Sequence, residues 1–380
     1  MRHWLRAARE LGWKREPERD LAAHLHAAMD WLARAHDACG GGGVSRSYTL
    51  RYARAHRRQG WLGAYPETTG YIIPTFLEYG TRFDRPEFRE RARRMADWES
   101  DIQMESGAVQ GGTVDFPPSP AVFNTGQVLQ GWALAHDAFG SPRHLDSMRR
   151  AADFLVEGQD ADGAWRRHGS RFARPGVNVY DTRTAWGLLQ ASAHTGDPRH
   201  REAAVRAFDF ALTQQSENGW FDQCCLDDNR RPLLHTLAYA MEGLLEGGVL
   251  LERDRYVTAA RTAADRVLER VRPDGWIPGR LDAQWRPAAR FSCLTGNAQT
   301  ARVWVRLSQL TGRSEYAEAA ARALRFVART QDLGARDPGI RGGIQGSSPL
   351  WGEYAPFEYP NWAAKFFADG ILALSEQGAP

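Results

Sequence analysis

The sequence predicts an all-α fold, a closed ring of six helical hairpins in which the N-terminal helix completes the last hairpin. Three observations carry this expectation. One local pattern occurs six times, the helices alternate between two compositions, and the connections alternate between short and long.

The pattern is clearest at 60–80, GWLGAYPETTGYIIPTFLEYG, where Trp61 and Tyr65 lead into Glu67, Thr68 and Thr69 and then an apolar run. It returns at Phe123-Asn124-Thr125-Gly126-Gln127, Tyr180-Asp181-Thr182-Arg183, Leu234-His235-Thr236, Thr295-Gly296-Asn297-Ala298-Gln299 and Tyr359-Pro360-Asn361-Trp362. With Thr69, Thr125, Thr182, Thr236, Asn297 and Asn361 as markers, the separations are 56, 57, 54, 61 and 64 residues. A sustained period of this length corresponds to one helical hairpin per repeat.

The helices that follow the starts, 69–79, 125–139, 182–195, 236–251, 297–310 and 361–374, are apolar or small on most sides. Helices surrounded by other helices have that composition, so these form the expected inner ring. Those near 86–100, 144–158, 198–214, 254–271 and 314–330 are amphipathic and rich in Arg and Glu, with stripes such as Tyr316, Ala320, Ala323 and Val327. They belong outside. One outer place remains, and the helix at 20–38, with Leu21, Leu25, Ala28, Met29 and Leu32 on one face, fills it and closes the ring. Residues 1–19 read as an N-terminal extension and 20–380 as one ring domain.

Inner-to-outer turns carry ordinary turn residues, as in Gly140-Ser-Pro142, Gly196-Asp-Pro198 and Thr311-Gly-Arg313. The outer-to-inner connections are about 18 to 28 residues long, against a usual helix–helix connection of about 2–8. Long loops emerging at one end of a ring make a mouth. Its aromatics include Trp61, Tyr65, Trp165, Tyr180, Trp220, Trp276, Trp285, Trp351, Tyr354 and Tyr359. Some follow glycine in a recurring phrase, Gly163-Ala-Trp165, Gly219-Trp220 and Gly275-Trp276, which suits a ring sealing the hairpin beneath the rim as well as one stacking on a ligand.

A net charge of +3 without a dense basic block excludes a nucleic-acid groove. No run has the length of a signal-peptide core or a membrane span, so a cytoplasmic protein is expected. Four cysteines without a Cys-x-x-Cys pair fit reduced thiols.

From about Asp20 to Leu374 these features resemble the (α/α)6-toroid superfamily of six-hairpin glycosidase-like proteins. The segments AYPETTGYIIPT, FNTGQ, DGAWRRH, CLTGNAQ, PGIRGGIQGS and EYPNWAAKFFADGILAL resemble a bacterial toroid family associated with polysaccharide biosynthesis. The resemblance implies an (α/α)6 barrel, a fold that hosts glycosidases, polysaccharide lyases, sugar epimerases and prenyl-transferring enzymes, so activity has to be argued from the site.

The leading expectation is a carbohydrate-active enzyme with an oligosaccharide or polysaccharide partner, because the mouth offers rings for sugar faces and polar groups for hydroxyls. Hydrolysis generally uses two carboxylates about 5–9.5 Å apart. Glu67 and Asp181 are the first choices as catalytic residues, with Asp115, Glu353 and Glu358 in reserve. Asp181 equally suits a helix cap, whereas Thr68 or Thr69 supplies a cap beside Glu67. Sugar contacts are expected from Arg46, Tyr48, Trp61, Tyr65, Asn124, Gln127, Trp165, Arg166, Tyr180, Arg183, His235, Arg280, Asn297, Gln299, Trp351, Tyr354, Tyr359, Asn361 and Lys365.

The alternative chemistry is a uronate lyase or epimerase, with Tyr48, Tyr180, His235 or Lys365 as base and Arg46, Arg166, Arg183 or Arg280 clamping a sugar carboxylate. Lys365 also has Asp369 one turn away as a pairing partner. A non-catalytic glycan-binding role uses the same aromatics. The 154–165 segment is similar to the triterpene cyclase repeat, but neither an Asp-x-Asp-Asp nor an Asp-Asp-x-x-Asp motif is present. Asp222-Gln-Cys224 matches half of a prenyltransferase zinc set, and His235 comes too soon to complete it. No metal and no cofactor is expected.

Overall fold

The structure, a computed structural model, describes residues 20–376. Twelve α-helices are found among the described residues. The inner helices are α2 (Pro66–Arg82), α4 (Val122–Phe139), α6 (Thr182–Thr195), α8 (Leu234–Leu251), α10 (Leu294–Thr311) and α12 (Asn361–Ser375). The outer helices are α1 (Leu21–Asp37), α3 (Pro86–Asp101), α5 (Pro142–Gly158), α7 (Pro198–Thr213), α9 (Asp254–Leu268) and α11 (Ser314–Ala328). Each inner helix packs on the next, α12 packs back on α2, and α1 packs on α12. The last inner helix is thereby returned to the first, with α1 in the sixth outer place.

The inner helices are tolerant of glycine because they approach one another closely. A Cβ at Gly131 of α4 would strike the backbone of Gly70 in α2, and one at Gly187 of α6 would strike the backbone of Gly126 in α4. The helix-propensity cost of glycine is offset here by close backbone packing.

Two side-chain devices recur at a spacing of 56 residues and hold the outer ring. Asp97, Asp153, Asp209 and Asp265 each accept a hydrogen bond from the next outer helix, from His144 Nε2 at 3.0 Å, His200 Nε2 at 3.2 Å, Tyr256 and Tyr316 respectively. Gln103, Gln159 and Gln215 each donate to the carbonyl of a glycine four residues on and to a carbonyl of the neighbouring outer helix, all at 2.8–3.1 Å. The middle glycine, Gly163, has φ +92° and lies against the Arg206 carbonyl, a place closed to any side chain.

The mouth loops also contain short strands that the all-α expectation did not include. Strand β1 (Ser47–Ala53) pairs antiparallel with β2 (Arg58–Trp61) and β5 (Glu358–Pro360), with Tyr48 opposite Trp61 and Tyr359. Strands β3 (Ser292–Cys293) and β4 (Ser347–Ser348) pair in the same sense. The first ladder ties the loop before α2 to the loop before α12 and the second ties the loop before α10 to that same loop, so connections far apart in sequence form one wall of the mouth. The expected 1–19 extension lies outside the described residues.

Candidate active site

The N-terminal ends of the inner helices surround a cup of about 320 Å³ lined by Arg46, Tyr65, Glu67, Phe123, Phe172, Tyr180, His235, Tyr239, Tyr354, Glu358 and Trp362. Its wall is a belt of touching rings. Phe123 meets Tyr180 and Tyr239 at 5.2 and 5.1 Å between centroids, and His235 meets Tyr239 and Tyr354 at 4.4 and 5.4 Å.

Glu67 is placed by Pro66, whose ring presets the first turn of α2 where no backbone N–H bond is lost. Its carboxylate accepts a short hydrogen bond from Tyr65. Burial raises this carboxyl to about 7, while Tyr65, Arg46 and Arg183 pull it downward. A second carboxylate, Glu358, reaches the cup from β5 and accepts from Arg46 Nη1 at 2.7 Å and Ser47 Oγ at 3.1 Å. The Arg46 guanidinium lies 5.1 Å from the Trp362 ring and 5.6 Å from the Phe172 ring, and its Nε is buried without a hydrogen-bond partner among the described residues.

His235 Nδ1 lies 2.6 Å from Gln299 Oε1, a pairing that makes Nδ1 the protonated nitrogen. Burial lowers the imidazole to about 4, so it is neutral at pH 7. The Tyr180 hydroxyl is buried and has no hydrogen-bond partner among the described residues. A buried polar atom left unpaired is costly.

Several expected contacts lie elsewhere. Asp181 lines a separate cavity of about 10 Å³ beside Trp165 and Phe210, not the cup, and makes no cap hydrogen bond. Trp165 donates to the Leu155 carbonyl at 2.8 Å, sealing its hairpin. Arg166 is an exposed partner of Asp160 and Asp162. Tyr48 packs on Trp61 and donates to Asp337 at 2.9 Å, and Trp61 in turn meets Trp31. Tyr359 is buried in β5. Arg280 is held at the rim by Asp227 and Glu353, and Trp351 is exposed outside the cup.

The polar helix starts prove to be loop anchors. Asn124 donates to the Gln110 carbonyl at 3.1 Å, Asn297 to that of Gly275 at 3.1 Å and Asn361 to that of Ser45 at 2.9 Å. Thr69 does not cap α2: its hydroxyl donates to the Tyr65 carbonyl and accepts from Val44 N–H, both at 2.9 Å. Gln127 accepts from Arg183 Nε at 2.7 Å on the ring axis, while Arg183 and Lys365 face the opposite end of the ring.

Phe123, Phe172, Tyr239 and Trp362 are cup residues that the sequence reading did not single out. Tyr239 lies one helical turn after His235, and Phe123 and Trp362 flank the anchoring asparagines, so helical spacing from the six starts points to three of them. One group among the described residues has metal-ligand spacing, Asp153, Asp197 and His200, on the outer ring. Arg199 already pairs with both of its carboxylates, at 3.0 and 2.6 Å, so it is an ion-pair cluster.

No family model and no curated protein matches the chain. Solved structures do. An unsaturated glucuronyl hydrolase specific for heparin has 15% identity and a TM-score of 0.73, with 94% of this chain and 97% of that chain covered. The unsaturated glucuronyl hydrolase of Bacillus sp. GL1, described as responsible for glycosaminoglycan degradation, gives the same four values. That of Streptococcus agalactiae, as a mutant complexed with dGlcA-GalNAc6S, has 11% identity and a TM-score of 0.67, covering 97% of this chain and 94% of that chain. Identities this low show the architecture, and the chain has the (α/α)6-toroid fold of six-hairpin glycosidase-like proteins.

Proposed function

We propose that this chain is a carbohydrate-active hydrolase whose substrate enters the aromatic cup, with Glu67 as the proton donor and Glu358 as the second carboxylate. The observation that carries the reading is the contrast between two acids lining one cavity. Glu67 is raised to about 7 by burial, and Glu358 is paired to Arg46. A carboxyl raised by burial can hold a proton for delivery, and a carboxylate bonded to an arginine offers a second group beside it. Glu67 gives its proton to the departing glycosidic oxygen, and the Tyr65 hydroxyl stabilises the carboxylate left behind. Trp362 and Tyr354 offer ring faces, and the unpaired Tyr180 hydroxyl takes a sugar hydroxyl.

The structural neighbours act on glucuronyl groups, and Arg46 is the cup residue suited to a sugar carboxylate, in competition with Glu358. The resemblance to toroids of polysaccharide biosynthesis supports a substrate of that polymeric class. The test is turnover of unsaturated glucuronyl disaccharides and neutral glycosides by wild type, Glu67→Gln, Glu358→Gln and Asp181→Asn. Glu67→Gln is expected to lose about 100-fold or more in kcat, the usual contribution of a general acid. Glu358→Gln is expected to fall as well, and Asp181→Asn to keep its turnover. Wild-type turnover in Glu67→Gln contradicts the assignment.

A second reading, β-elimination, is favoured by one observation. His235 is neutral, and with Nδ1 bound to Gln299 its Nε2 is free to act as a base. A product carrying a new double bond would select this reading.

A further inference from the structure

At the opposite end of the ring, the C-terminal halves of the inner helices enclose a chamber of about 950 Å³. It shares no lining residue with the cup. Between them the Arg183 guanidinium closes the axis, 5.2 Å from the rings of Tyr239 and Phe366 and bonded to Gln127 and Glu242. The chamber is at the upper end of the size range of small-molecule sites.

Its cations are matched by acids, which leaves no strong net sign to draw in an ion. Arg82 pairs with Glu376 at 3.7 Å, Arg306 with Glu246 at 3.4 Å, Arg302 with Glu242 and Lys365 with Asp369. Hydrogen-bonding capacity is nevertheless left over. The Lys365 ammonium has three donors, of which Asp369 takes one, and it otherwise faces the rings of Phe366 and Tyr71 at 4.4 and 5.2 Å. Among the described residues Gln190 Oε1 is a buried acceptor without a partner, and Glu78, open to the chamber, makes no salt bridge or hydrogen bond. Trp186 adds an indole to the same wall.

Packing alone does not account for this arrangement. Of the four pairs Lys365–Asp369 has both partners buried, and a buried ion pair is no more stabilising than apolar side chains of the same volume. Spare donors and spare acceptors beside an indole, with charges balanced, suit a ligand made of hydroxyls. We propose that the basal chamber is a second binding site, taking a neutral mono- or disaccharide. This proposal stands independently of the chemistry assigned to the cup.

The test is calorimetric titration of the protein with D-glucose and with maltose, in wild type, Gln190→Leu, Glu78→Gln and, as a cup control, Trp362→Ala. Lys365→Met would strand Asp369 and endanger folding, so the two milder changes carry the test. Saturable binding is expected, weakened roughly three- to tenfold by Gln190→Leu, the loss of one hydrogen bond, and less by Glu78→Gln, which exchanges a charged acceptor for a neutral one. Trp362→Ala should remove only binding in the cup and leave the component that the chamber changes weaken. Absence of saturable binding to wild type, or binding abolished by Trp362→Ala and untouched by the chamber changes, overturns the proposal. Hydrolysis in the cup with no basal binding would remove this proposal alone.

Discussion

Glu67 is held between burial, which favours its neutral form, and the Tyr65 hydroxyl, Arg46 and Arg183, which favour its charged form. A reaction that needs the Glu67 proton is supported below pH about 7 and declines as pH rises through that value. Removing the Tyr65 hydroxyl takes away a hydrogen bond to the anion, so in Tyr65→Phe the alkaline limb of kcat/KM moves up by roughly one to two units. A limb that stays in place disconnects Tyr65 from the acid. Asp181 tests the same physics without catalysis. Burial raises it from 3.8 to about 8, so the folded chain keeps a proton that the unfolded chain has released, and stability falls as pH rises across that window. Asp181→Asn should flatten the dependence of Tm on pH between about 4 and 8, and equal slopes in both proteins would contradict the burial argument.

At the scale of the element, the ends of three outer helices are each held by a glutamine clamp and a glycine of positive φ, at Gln103 and Gly107, Gln159 and Gly163, and Gln215 and Gly219. Gly163→Ala would place a Cβ against the Arg206 carbonyl at a φ of +92°. The expected cost is roughly 2–4 kcal/mol, read from urea unfolding, with turnover per folded molecule unchanged. The hairpins were legible in the chain because glycine-aromatic loops, polar starts and apolar helices recur at nearly constant spacing. Side-chain direction at those starts was not. One residue along a helix turns a side chain by about 100°, which moves it from the axis to the space between helices. Glu67, second in α2, reaches the cup, whereas Asp181, just before α6, turns toward α7 and Trp165. Asn124, Asn297 and Asn361 resemble hydroxyl ligands in sequence, yet their side-chain NH2 groups donate to loop carbonyls. The strands escaped notice because two- to seven-residue pairings between distant loops leave little periodicity to read.

For the whole molecule, the ring works as two vessels back to back, separated by Arg183, Glu242 and Arg302. Arg183→Met strips one cation from Glu242, which is 2% exposed, and a cost of about 3–5 kcal/mol is expected from breaking a buried pair. Thermal unfolding would show it, and an unchanged Tm would mean that Arg302 alone balances Glu242. The long loops gather above the upper vessel, where Glu67 and Glu358 are the only two carboxylates of its lining among the described residues. The most direct measurement of where chemistry happens is a crystal structure of Glu67→Gln soaked with an unsaturated glucuronyl disaccharide. A sugar ring against Trp362, with its glycosidic oxygen in hydrogen-bond reach of residue 67, is the predicted result. A disaccharide bound instead beside Asp181 or in the basal chamber, with the cup empty, would contradict it.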